Sequence, residues 1–107
     1  MTEYRVVLVT APDADVGAKI GRMVVEAGLA ACVNVVPTIR SIYVWKGVVN
    51  DDTEAMLVMK TRATLLDDLI GLVREAHPYE VPEVIALPID AGSRGYLDWI
   101  TEVTRKR

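Results

Sequence analysis

One histidine, one cysteine and a short acidic segment hold most of the chemistry available to this sequence. His77 stands before Pro78-Tyr79 and is the chain's one imidazole, a group that titrates near neutrality and binds borderline metals. Two readings are open for it: a helix-capping imidazole, or a ligand or proton-transfer group. Tyr79-Glu80-Val81-Pro82-Glu83 is an extended segment set by its prolines. It is either a rigid connector or a source of oxygen ligands, Glu80 and Glu83, for a hard cation. Cys32 follows Ala30-Ala31 in an apolar run, where a thiol packs as a small hydrophobe. A reactive thiol would need a cation or helix N-terminus beside it. Glu54 and Lys60 flank the apolar Ala55–Met59, six positions apart, and so share a strand face. They are solvated strand ends, or Lys60 lines a polar cleft opposite a carboxylate such as Glu83.

Other chemistries lack their residues. The sequence has no C-x-x-C, no H-x-x-x-H and no glycine-rich phosphate loop. One chain cannot close a four-ligand zinc site from one His and one Cys, although subunits could share one. No set of nucleophile, base and orienting group can be assembled, so an enzyme is not expected. The net charge is −3, and the one basic block is Arg105-Lys106-Arg107. Nucleic acid is therefore not an expected partner. The apolar runs are shorter than the roughly 20 residues that span a bilayer, so no membrane partner is expected either. The Met1-Thr2-Glu3 start has no basic region, and the single cysteine cannot form an internal disulfide. Both features lead to an expected cytoplasmic location.

The 107 residues read as one domain, 1–107, without repeats or linkers. Arg5–Val9 forms a β-branched strand. A helix follows, capped by Asp13 or Asp15, with a stripe of Val16, Ile20, Met23, Val24 and Ala27, and ends at Gly28. Ala30–Val36, interrupted by Pro37 and resumed over Ser41–Trp45, pairs with Glu54–Thr61 across a longish loop holding Gly47 and Asn50-Asp51-Asp52. Thr64 and Asp67 open a second helix, with Leu66, Leu69, Ile70 and Val73 inward and His77-Pro78 as its stop. Val84–Leu87 is a fourth strand, and Ser93 caps a third helix striped by Tyr96, Trp99, Ile100 and Val103. The order β-α-β-β-α-β plus a C-terminal helix predicts an α+β, ferredoxin-like sheet. A second strand from Ala31 to Trp45 would run roughly 50 Å, beyond a domain roughly 33 Å across. The hairpin must overhang and pair with another chain, or bend at Pro37 and fold back.

Five motifs in order carry a resemblance over nearly the whole chain. They are Ala30-Ala31-Cys32-Val33-Asn34, Ser41-Ile42-Tyr43-Val44-Trp45-Lys46-Gly47, Lys60-Thr61, His77-Pro78-Tyr79-Glu80-Val81-Pro82-Glu83 and Tyr96-Leu97-Asp98-Trp99. The chain resembles the CutA family of divalent-cation tolerance proteins. That resemblance implies a homotrimer of ferredoxin-like subunits, similar in architecture to PII-type signal proteins and built by the long hairpins. It also implies a link to Cu(II) or another divalent metal, bound near His77 with Glu80. Some family members carry a Cys before the Thr-Ala-Pro-Asp turn and a second His before His-Pro-Tyr; this chain has Val9 and Ala76 there. The expected cleft lies between subunits and joins His77, Tyr79, Glu80 and Glu83 to Lys60 and Cys32. The alternative is a PII-like signalling or scaffold trimer that binds a small ligand or nucleotide in those clefts.

Overall fold

The computed structural model describes residues 3–106. Met1 and Thr2 of the N-terminal start, and Arg107 of the basic tail, lie outside the described residues. Strand β1 (Tyr4–Ala11) leads into helix α1 (Ala14–Glu26). The Asp13 carboxylate caps that helix by accepting the Val16 N–H at 2.8 Å. Ile20 and Val24 are buried as expected, but Met23 is 36% exposed. Gly17 and Gly21 take its place on the inner face. A Cβ on Gly21 would lie 3.0 Å from a Val33 methyl, so the missing side chain lets helix and strand meet closely.

Strands β2 (Cys32–Trp45) and β3 (Val48–Arg62) form a hairpin longer and tighter than expected. Lys46 (φ 51°) and Gly47 (φ 80°) alone make the turn. Two left-handed residues give a turn whose twist matches that of the strands it joins. Asn50-Asp51-Asp52 is therefore strand rather than loop. Cross-strand partners hold its acidic side chains. Arg40 donates to both Asp51 oxygens at 2.9 and 2.7 Å, and the Tyr43 hydroxyl donates to Asp52 at 2.6 Å. Such pairs let poor strand formers sit in a wet strand. Pro37 does not break β2. The register shift between Val36 and Ile39 absorbs Pro37 and Thr38 as a bulge. The hairpin does not fold back, and the molecule measures 43 × 25 × 22 Å.

A 3-10 turn (Ala63–Leu65) precedes helix α2 (Leu66–Ala76). The expected capping pair of Thr64 and Asp67 does not form, because the helix starts beyond that turn and neither cap position makes a side-chain bond. Strand β4 (Val84–Pro88) follows, then helix α3 (Arg94–Val103), where Ser93 makes no side-chain cap. Leu97 and Ile100 form the buried face of α3, while Tyr96, Trp99 and Val103 are exposed.

The four strands form one antiparallel sheet in the order β2-β3-β1-β4. Val7, Val9, Leu57 and Met59 point to one face and pack with Ile20, Val24, Leu69 and Val73 of α1 and α2. Alternation sends Val6, Leu8, Val58, Ile85, Leu87 and Val36 to the other face. There Ile85, Leu87 and Val36 are 51%, 46% and 40% exposed. Helix α3 covers only the Tyr4–Arg62 end of this second face.

Candidate functional site

The residues singled out in the sequence fall into two separate groups. His77 ends α2 and turns back to the sheet. It is buried, and both ring nitrogens are engaged. Nε2–H donates to the Thr10 carbonyl at 2.7 Å, while Nδ1 accepts the Tyr79 N–H at 3.1 Å. These partners assign the neutral Nε2–H tautomer. The imidazole is a bracket between α2 and β1, and its ring lies 4.6 Å from that of Tyr79. A metal would have to displace one of these bonds. Glu80, its expected co-ligand, points to solvent and pairs with Lys46 at 3.9 Å. Among the described residues, no three His, Cys, Asp or Glu side chains group closely enough to hold a metal ion. Within one chain, these residues do not fit a bound Cu(II).

Tyr79 reaches the hairpin, where its hydroxyl donates to Glu54 at 2.5 Å. Glu54 is 7% exposed despite its charge, so the strand-end reading of this residue does not hold. Burial and then the carboxylate beside it raise the Tyr79 phenol above the ordinary value of 10.0. Tyr43 and Asp52 repeat the pairing nearer the tip, and that bond also raises the Tyr43 phenol. Glu83, Thr10 and Ser41 share a cleft with Glu54, Tyr43 and Tyr79. Sequence reasoning missed Tyr43 and Asp52. The Lys46-Gly47 turn was the signal for them: it pairs Tyr43 with Asn50, which leaves Asp52 on the diagonal.

Lys60 and Cys32 lie elsewhere. They are cross-strand partners on the second sheet face, six positions along β3 from Glu54, or about 20 Å. The Lys60 ammonium donates to the Asn34 side chain and does not face Glu83. The Cys32 thiol lies 3.4 Å from the Tyr96 hydroxyl of α3. One chain therefore does not join Lys60 and Cys32 to His77, Tyr79, Glu80 and Glu83.

Tyr96 is pushed up to about 12, first by its bond with Cys32 and then by partial desolvation. Its folded value lies above its unfolded one, so the folded state keeps the proton longer. This contribution to stability is full below pH 10.0 and is lost as pH rises through about 12. An alkaline absorbance titration should therefore show Tyr96 and Tyr79 still protonated where an ordinary phenol is half ionised. If all four tyrosines ionised together near pH 10.0, the two hydroxyl pairings would not exist in solution.

The family model for the CutA1 divalent ion tolerance protein matches residues 5–103. The chain is similar to human protein CutA, at 50% identity over 96 residues, which cover 90% of this chain and 54% of the relative. It is equally similar to the chloroplastic protein CutA of Arabidopsis thaliana: 50% identity over 100 residues, 94% of this chain and 55% of the relative. The chain thus spans about half the length of these curated relatives. The crystal structure of CutA1 from Oryza sativa superposes with a TM-score of 0.95 at 45% identity, covering 99% of this chain and 97% of that one. The periplasmic divalent cation tolerance protein CutA of Archaeoglobus fulgidus superposes with a TM-score of 0.90 at 33% identity, covering 94% and 97%. The chloroplastic and periplasmic relatives correct the expected location and point away from a plainly cytoplasmic one. A folded domain's composition and a single thiol carry no address.

Proposed function

Because the chain belongs to the CutA1 divalent ion tolerance family, we propose that it serves divalent-cation tolerance as a homotrimer of ferredoxin-like subunits. One observation carries the assembly: the uncovered apolar face of the sheet. Val6, Leu8, Met56 and Val58 are half-buried in its middle, with exposed Val36, Ile85 and Leu87 around them. A sheet face of this composition is ordinarily packed against another layer. The hairpin adds Ile42, Val44, Val48 and Val49, each more than 60% exposed, on strands that project from the body. Three copies in a closed ring would cover both surfaces without leaving an end open to further chains. The tolerance role extends to this chain from its relatives, several of which are named for it. It acts here through binding and assembly rather than catalysis. His77 braces the fold, and a divalent ion, Cu(II) included, is met by the assembly rather than by this imidazole in one chain. The signalling alternative gains no support from the matched relatives, which carry the CutA name.

Sedimentation equilibrium at micromolar concentration is the direct test. The expected mass is three times the 11.8 kDa chain, unchanged on dilution through that range. A stable monomer would overturn this reading.

A further inference from the structure

Two clefts adjoin where the segment after α2 meets the hairpin, and they share Tyr43, Tyr79 and Val81. The first, of about 320 Å³, adds Trp45, Pro78 and Glu80. The second, of about 360 Å³, adds Glu54 and Glu83 beside Thr10, Ser41 and Ile42. Their linings thus hold three aromatic rings and three carboxylates, and no lysine or arginine. Aromatic faces attract a weakly hydrated cation, and carboxylates supply the counter-charge.

The chain already shows an ammonium group in this setting. Lys46 Nζ lies 5.6 Å from the centroid of the Trp45 ring and 3.9 Å from a Glu80 oxygen, at the rim of the first cleft. The Lys46 and Glu80 side chains are both 71% exposed, so this contact is weak and exchangeable. Deeper in, Tyr79 holds the buried Glu54 carboxylate in place; Glu83 is exposed at the cleft and has no ion-pair partner among the described residues. The two phenols donate their protons to carboxylates rather than offering oxygens outward. A hard divalent ion needs six or so oxygen ligands and gains nothing from the rings. An organic ammonium ion uses both the rings and the carboxylates.

We propose that these clefts bind a small organic ammonium ion, seated among Tyr43, Trp45 and Tyr79 with Glu54 and Glu83 as counter-charges. Lys46 is then the internal competitor that occupies the rim in its absence. The rings and carboxylates of this constellation belong to one chain; Ile42, which also lines the second cleft, lies on the hairpin surface proposed above to meet another subunit, so the proposal rests on the clefts staying open in that assembly.

The test uses the full chain carrying Trp99→Phe, which leaves Trp45 as the sole indole reporter. Its fluorescence is followed during titration with n-butylammonium chloride and with tetramethylammonium chloride, against sodium chloride at equal ionic strength. A saturable change with the ammonium salts and none with sodium is expected. Glu83→Gln should weaken binding about tenfold, as loss of one charged partner does. Lys46→Met should strengthen it about threefold by removing the competitor. Both substitutions are at exposed positions, so folding does not cloud the comparison; Glu54→Gln gives the buried counterpart. A response no different from that to sodium would overturn the proposal. So would ammonium binding that neither Glu83→Gln nor Lys46→Met alters.

Discussion

Val58→Glu is expected to turn the assembly into folded monomers. Val58 sits in the middle of the uncovered sheet face, in register with Leu8 on one side and Asn34 on the other. In an isolated chain it is only half-buried, and a glutamate there can turn its carboxylate to water. The cost to the monomer should then be about 0.5 kcal/mol, as for other surface changes. In a trimer closed over this face, the same carboxylate would be buried among apolar side chains with no partner. That costs about 4 kcal/mol or more for each copy, roughly a thousandfold in association. Sedimentation should show one chain mass where the wild type shows three, with an unchanged far-ultraviolet spectrum. Thr64→Glu, exposed beside α2, is the matched control and should leave the assembly intact. In a bacterial strain lacking its own relative, copper tolerance should return with the wild type and the control but not with Val58→Glu. A Val58→Glu protein that kept the full assembly mass would remove this face from the interface.

The strand and helix order was legible in the sequence because it depends on local pattern. The β-branched runs around Val7 and Val58, the Asp13 cap and the His77-Pro78 stop are short-range signals that the structure keeps. The overhang of the hairpin followed from strand length against domain size, and the 43 Å long axis agrees with it. The hairpin tip was misread because composition and pairing disagree there. Asn50-Asp51-Asp52 has the composition of a turn, yet Arg40 and Tyr43 on the opposite strand give its acids partners. The expected Val16, Ile20, Val24 and Ala27 of α1 do pack on the core, and the misreading of that stripe is confined to Met23. On α1, Gly17 and Gly21 carry no hydrophobic signal, yet they face the sheet because closeness matters more there than apolar area. On α3, Tyr96 and Trp99 carry a strong signal but lie outward, while Leu97 and Ile100 take the buried face.

The site was legible by residue type and not by arrangement. Tyr79, Glu83 and Glu54 drew notice as polar groups in apolar or extended surroundings, and one cleft does unite them. Lys60 and Cys32 drew notice on the same grounds and lie about 20 Å along the strand from it. Nothing local separates the two groups. Only the register of β3 against β2, together with the path of the chain after α2, decides which polar residues meet. His77 shows the same limit. Its place before a proline marks a helix end, but only the turn after α2 carries it back to the carbonyl of Thr10, sixty-seven positions away.

His77→Ala is accordingly expected to weaken the fold rather than metal binding. The substitution strands two backbone groups at once. The Thr10 carbonyl loses the donor at 2.7 Å, and the Tyr79 N–H loses its acceptor at 3.1 Å. It also removes the ring packed against Tyr79, and so loosens the segment that holds Tyr79 on Glu54. The imidazole is buried, so water replaces these bonds poorly, and the loss should be about 2–4 kcal/mol. Urea unfolding at fixed protein concentration measures it, since the stability of an oligomer depends on concentration. His77→Gln offers an amide that can still donate to Thr10 but cannot accept from Tyr79 in the same way, and should recover part of the loss. The Cu(II) titration curve of His77→Ala should superimpose on that of the wild type, because neither ring nitrogen is free to bind the ion in the folded chain. The reverse pair of results, wild-type stability with Cu(II) affinity reduced about tenfold, would mean that the imidazole gives up its bracket in solution and serves as a ligand after all.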